Sequence, residues 1–186
     1  MKNKAGAMEM SVGTIVTIVL LVTMLILGVV LIKNIFFSAT SVVDLTNEQL
    51  RSEVNKLFSE DSKIAIYPST KLVEIKQDAI NGVGVGVKNL LSGSSLETIF
   101  SYEVIVSDLD LATKCNGITE EEVLGWISAG KAEKDILIPS GGYSAQMIRF
   151  EIPVGAPLCT IRFRVNVYAG ENPYDSASFD IKVKAK

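Results

Sequence analysis

Histidine is absent from the 186 residues of this chain. Its absence removes the commonest general base near neutral pH and the commonest metal ligand, and with them the Ser-His and Cys-His nucleophile pairs. An excess of positive charge is missing too. Lys and Arg number 18 against 21 Asp and Glu, a net −3, and the basic residues form no cluster. A nucleic-acid binder would carry such a cluster as its electrostatic footprint, so no nucleic-acid partner is assigned. There is no Asn-x-Ser/Thr sequon, and N-glycosylation is not indicated. The glycine run "NGVGVGVKN" from Asn81 to Asn89 places Val87 where a dinucleotide turn needs glycine, and no Lys-Ser or Lys-Thr follows as in a phosphate loop. No catalytic residue, no metal ligand and no cofactor is assigned, and the chain reads as something other than an enzyme.

What is present is a divided composition. Mean hydropathy is +0.33 and 48% of residues are hydrophobic, with the excess in the first forty positions; the remainder has the mixture of one ordinary soluble domain. From Met10 to Ile32 no residue is charged, and as a helix that run is about 34 Å long, enough for a hydrocarbon core of about 30 Å. A cleaved secretory signal has a shorter apolar core and a small-x-small site after it, whereas here Lys33, Asn34 and two phenylalanines follow, and "SAT" at Ser38 to Thr40 is a weak site. Lys2 and Lys4 precede the span, opposed by Glu9, and Lys33 alone follows it closely. The balance favours a cytoplasmic amino end with everything after Lys33 outside.

The helix reads as continuing beyond the span. Phe36, Thr40, Val43, Asn47, Leu50, Val54 and Leu57 recur at steps of four and three, and neither Pro nor Gly occurs between Val29 and Ser59. The expected layout is a basic leader over 1–9, a membrane or assembly helix with an amphipathic extension over 10–60, and an outward domain over 61–186. The stripe can pack on the chain's own domain, on neighbouring copies, or on both.

The leader "KNKAGA", the lone acid in "MEMS" and the unbroken apolar span running into an amphipathic helix resemble the amino-terminal region of archaeal type IV pilins and archaellins. The resemblance implies removal of the leader by a prepilin-type peptidase at Gly6 or Ala7, and a filament of identical subunits built on the freed helix. Glu9, Phe36, Val43, Leu50, Val54 and Leu57 would then be assembly positions. Bacterial pilins carry the acid five residues past the cut, whereas a cut after Gly6 makes Glu9 the third. Glu9 also has a simpler reading, as a carboxylate at the interface near a helix amino end, where the dipole favours it.

Past Phe58 the periodicity changes to alternation. Cys159, Ile161, Phe163, Val165 and Val167 share one face against Thr160, Arg162, Arg164, Asn166 and Tyr168, and the pattern repeats over Phe100–Val106, Ile148–Ile152 and Phe179–Val183. "VGVGV" at Val83–Val87 points valines inward and leaves glycines opposite, room for a helix to approach. Shorter apolar pieces bring the total to seven or eight strands, separated by "YPS", "SGSS", "PSGG", "VGAP" and "GENP". The expected class is mainly β with a long amino-terminal helix: an immunoglobulin-like antiparallel sandwich with one short inserted helix. That helix is marked by a capping box, Thr119 with Glu122, and its stripe of Val123, Leu124 and Ile127 ends at Gly130. The last strands are similar to adhesion-type sandwiches of archaeal surface proteins.

Cys115 and Cys159 are the only cysteines. Outside a cell they pair as a disulfide, whereas in a reducing setting they are two buried thiols. Asp108 and Asp110 end a strand, and two carboxylates are too few for a calcium site. The function expected is a structural subunit of a pilus-like or archaellum-like filament. The alternative is a monomeric membrane-anchored adhesin or accessory ectodomain that binds a surface ligand. Membrane lipid, the processing peptidase and further copies of the chain are the partners implied.

Overall fold

The computed structural model describes residues 12–37, 42–91 and 98–186, with side chains in the first stretch described at 13–30. Gly6, Ala7 and Glu9, and the side chain of Phe36, lie outside the described residues. The chain divides into two compact units, Met1–Thr40 and Ser41–Lys186.

The first unit is helix α1, Val12–Phe37. Its 18-residue window Gly13–Val30 holds no ionisable residue and buries none of its surface in the protein. Side chains pointing in every direction around it, from Ile15 through Leu21 to Val30, are exposed. A helix apolar on all sides needs a membrane or other apolar helices around it. The hydroxyls of Thr17 and Thr23 need nothing from outside: Thr17 donates back to the Gly13 and Thr14 carbonyls and Thr23 to that of Leu20, each at 2.9 Å. Such back-bonding satisfies a hydroxyl where water is excluded.

The second unit begins with a 3-10 turn, Val42–Asp44, followed by helix α2, Asn47–Leu57. A single rod to Phe58 is therefore corrected: the amphipathic stretch is a separate helix belonging to the sandwich unit. The cause is local. Thr46 is extended, its hydroxyl accepts from the Gln49 N–H at 3.3 Å, and the Gln49 side chain accepts from the Thr46 N–H at 2.9 Å. This reciprocal capping box starts a new helix at Asn47.

Among the described residues nine strands follow. Sheet A takes β1 (Ile64–Tyr67), β3 (Ala79–Lys88), β7 (Tyr143–Ile152) and β5 (Ile127–Ala129), in the order β1-β3-β7-β5. Sheet B takes β2 (Leu72–Lys76), β9 (Asn172–Lys184), β8 (Thr160–Ala169), β4 (Thr98–Val106) and β6 (Ala132–Ile138), in the order β2-β9-β8-β4-β6. The chain is mainly β, with two sheets facing across one core. The pairing is antiparallel except at one edge, where β2 runs parallel to β9 with Val73 opposite Ile181; an all-antiparallel sandwich is corrected to that extent. Between the sheets Phe150, Phe163 and Phe179 meet with ring centroids 5.0 to 6.0 Å apart, and Phe100 meets Tyr174 edge-on at 5.0 Å. Such contacts add to the area term that dominates the core.

Strand β3 shows how alternation builds two layers. Val83, Val85 and Val87 enter the core between the sheets. The glycines between them face outward under α2. A Cβ at Gly84 would meet Leu50 Cδ1 at 2.6 Å, and one at Gly86 would meet Phe58 Cζ at 2.8 Å and crowd Val54 harder still. Leu50 and Val54 are thereby buried with Val42 and Ala65 in a second, smaller core, with Leu57 packed at its edge. Two short helices, α3 (Leu111–Lys114) and α4 (Glu120–Leu124), replace the one expected. Helix α4 stops at its Gly125 cap, so Ile127 belongs to β5 and not to the helix.

Candidate functional site

A concavity lies at one end of the sandwich, where β4 leaves sheet B. The Ser107 N–H still donates to the Arg162 carbonyl at 2.9 Å, and then the chain turns away into α3. Asp108 sits at that turn with its side chain 6% exposed. Its Oδ1 accepts from the Asp110 N–H at 3.2 Å and from Lys114 Nζ at 2.9 Å. Lys114 Nζ also stands 3.8 Å from Asp110, one helical turn away. Across the groove Arg162 holds Asp180 through two bonds, Nε to Oδ1 at 2.8 Å and the second guanidinium nitrogen to Oδ2 at 3.0 Å. Leu109, Leu158, Cys159 and Thr160 complete a groove of about 590 Å³.

Cys115 and Cys159 are joined in a disulfide with Cα atoms 5.6 Å apart. It ties the segment carrying α3 to the first residue before β8. The next element, α4, is held by its own capping box: Glu122 accepts from the Thr119 N–H and hydroxyl at 2.9 Å each, and these bonds hold its carboxyl below the usual range. Trp126, just after α4, is buried in the core.

The electrostatics of the groove are those of closed ion pairs. Burial pushes the Asp108 carboxyl up, but the hydrogen bonds from Lys114 and the Asp110 amide outweigh it and hold the group below the ordinary carboxylate range. The same bond to Asp108 raises the Lys114 ammonium. Neither group is a free acid or base near neutrality. The seat a cation would occupy between Asp108 and Asp110 is taken by the Lys114 ammonium, and among the described residues no cluster of three or more Asp, Glu or Cys is placed to hold a metal ion. The buried side-chain polar atoms left without a partner among the described residues are Tyr102 OH and Ser107 Oγ. Burial, aided by the Glu133 charge, pushes the Tyr102 phenol up to about 12, so it stays protonated.

The expected assembly positions fall in different places. Leu50 and Val54 are filled by the chain's own sheet A, Leu57 packs at the edge of the same small core, and Val43 stands within 3.5 Å of where a Gly82 Cβ would be. Leu50 and Val54 thus pack on the chain's own sandwich, one of the two packings open to the stripe. Sequence reasoning passed over Lys114. Its spacing of four from Asp110 on a helix was legible, but its bond to Asp108 depends on the loop.

No protein-family model and no curated protein matches the chain. Solved structures give loose likenesses. A crystal structure of the CARDB domain of a Pyrococcus furiosus protein, in complex with di-metal ions, is 12% identical, with a TM-score of 0.38, over 61% of this chain and 86% of that one. A solution structure of the same domain is 11% identical with a TM-score of 0.39, over 65% and 94%. Self-complemented MyfA, the major subunit of Myf fimbriae from Yersinia enterocolitica, is 13% identical with a TM-score of 0.33, over 69% and 99%. Likenesses at this level say nothing about what this chain binds or builds.

Proposed function

We infer that the chain is a non-enzymatic surface protein: α1 anchors it in a membrane and the sandwich is presented on the outer side. The observation that carries this reading is the 26-residue helix whose stretch Gly13–Val30 is apolar and exposed in every direction, with the Thr17 and Thr23 hydroxyls satisfied internally. Two basic residues before it and one close after orient it with the amino end in the cytoplasm. The tight ion pairing of the end groove supports a display or binding role over catalysis. Burial of Leu50 and Val54 within the chain favours an anchored ectodomain, an adhesin or accessory module, since it withdraws those two side chains from any neighbour.

Assembly into a pilus-like or archaellum-like filament is the second reading. It is favoured by the leader resembling that of archaeal pilins, with Gly6 and Ala7 at the cut, and by a helix equally able to pack against lipid or against identical helices. Intact mass of the chain purified from its native membrane separates the two. A mature chain beginning at Ala7 or Met8 supports processing and the filament; a retained Met1 or Lys2 supports the anchor; a chain beginning beyond Phe37 refutes both.

A further inference from the structure

Three exposed apolar side chains stand on turns at a single end of the sandwich: Leu109 at 101%, Val154 at 76% and Leu158 at 60%. Leu109 and Leu158 line the same groove, and Val154 belongs to the turn that leads to Leu158. Turns of this kind are ordinarily polar, and a group of apolar tips marks a contact surface. Three pairs of charged groups around them are closed on one another: Lys114 with Asp108, Arg162 with Asp180 and Lys186 with Asp78. Apolar tips set among neutralised charges suit a layer that is itself part polar and part apolar.

The occupant follows from where the chain enters. Val42 donates its N–H to Asn81 Oδ1 at 2.9 Å, two residues into β3. The start of β3 lies beside the Val154 turn: the Asp78 N–H donates to the Ile152 carbonyl at 3.0 Å and the Gln77 side-chain amide to the Ala156 carbonyl at 2.5 Å. The apolar tips and the point of entry thus share one end. Five steps of chain separate Phe37 from Val42, a tether of at most about 18 Å at roughly 3.6 Å per residue. With α1 in a membrane, the tether keeps the entry residue Val42 within about 18 Å of the helix end, so this end is the one within reach of the bilayer surface.

The geometry points to a lipid interface as the partner of this end, with Leu109, Val154 and Leu158 seated in the headgroup layer. This rests on α1 being a membrane span. It gives the sandwich a fixed footing, and leaves the opposite end, with Leu137 and Ile99 opposite each other on β6 and β4, as the one turned outward.

The test uses the full, unmodified chain reconstituted in phosphatidylcholine vesicles and treated with hydroxyl radicals. In a free sandwich Leu109, at 101% exposure, is labelled more than Leu137, at 57%; the docked end reverses that order by at least two-fold, and Leu158 follows Leu109. A second arm separates lipid from a second copy of the chain as the cover. Leu158→Trp and, as control, Leu137→Trp are made in a Trp126→Phe background and read with lipids brominated near the headgroup. Quenching at 158 and none at 137 is expected, independent of protein density in the membrane. Labelling of Leu109 above Leu137 in chains that stay with the vesicles through an alkaline wash overturns the footing and spares the anchor. Protection that appears only at high protein density, without quenching, assigns the surface to a second copy and also overturns it. Chains that wash off overturn both. If Trp126→Phe does not fold, the radical labelling alone decides between footing and free end.

Discussion

The seat of α2 on the glycine face of β3 makes a quantitative prediction. Gly86→Ala adds one methyl that would stand 2.8 Å from Phe58 Cζ and closer still to Val54 Cγ1. The unit has two responses. It can keep the helix in place and absorb the strain, which for an overpacked site costs about 1–3 kcal/mol. Or it can lift the helix and expose Leu50 and Val54, now 2% and 0% exposed, which at about 1.5–3 kcal/mol apiece costs roughly 3–6 kcal/mol. The smaller cost wins, so the helix stays. Alanine recovers about 0.4–1 kcal/mol by narrowing the unfolded chain, and the expected net loss is about 1–2 kcal/mol.

Val54→Ala supplies the discriminating control. Alone it removes two buried methyl groups at about 0.8 kcal/mol each, so roughly 2 kcal/mol with the space left behind. Combined with Gly86→Ala it also removes the atom that the new methyl strikes hardest, leaving only the flexible ring end of Phe58 to give way. The double variant should therefore cost no more than Val54→Ala alone, a coupling of about 1–2 kcal/mol where independent sites would add within about 0.5 kcal/mol. Urea unfolding of the full chain in detergent, followed by the fluorescence of Trp126, the one tryptophan, measures all four species. Hydrogen exchange over Asn47–Leu57 reports whether the helix has lifted. A neutral Gly86→Ala, or costs that simply add, would refute the packing argument.

Two further predictions concern the end groove. The Cys115–Cys159 bond closes a separation of 44 residues, so the paired Cys115→Ser, Cys159→Ser variant should lose about 4 kcal/mol in the chain-entropy account, read as a lower urea midpoint that reductant no longer changes. The Asp108 carboxyl has its folded-state pKa depressed, chiefly by Lys114 against the opposing effect of burial. Its stabilising contribution is thus complete above the unfolded carboxylate value near 4 and is lost as pH falls through the depressed folded value. Asp108→Asn should lower stability at pH 7 and flatten the fall in stability between about pH 4 and pH 2; an acid limb identical to that of the unaltered chain would refute the pairing.

Much of this architecture was legible because it is periodic. The uncharged run Met10–Ile32, the inward valines of β3 and the alternation of β8 each repeat a simple period over several residues, and burial follows that period. The break before Asn47 was missed for a physical reason. The apolar stripe keeps its helical spacing from Phe36 to Leu57 straight across it, while the break itself is made by two hydrogen bonds between Thr46 and Gln49. The signal was in the sequence as Thr-x-x-Gln, the same kind used at Thr119 and Glu122. Strand β5, three residues long, is too short for any period to show, and the parallel pairing of β2 with β9 joins residues more than a hundred positions apart. At the groove, Asp108 and Asp110 were visible as acids, but their neutralisation by Lys114 waited on the turn that brings the lysine back.

Placing the break at Thr46 also changes what the stripe can do. A continuous amphipathic rod would leave Leu50, Val54 and Leu57 facing outward as a seam for other copies. A second helix laid on Gly84 and Gly86 spends the same side chains inside one molecule, where the absence of a Cβ brings helix and sheet into direct contact. The glycines and the stripe explain each other: neither is needed without its partner. Leu50 and Val54 are then already engaged within one molecule, and the stability of the sandwich rests on contacts that do not depend on association between copies.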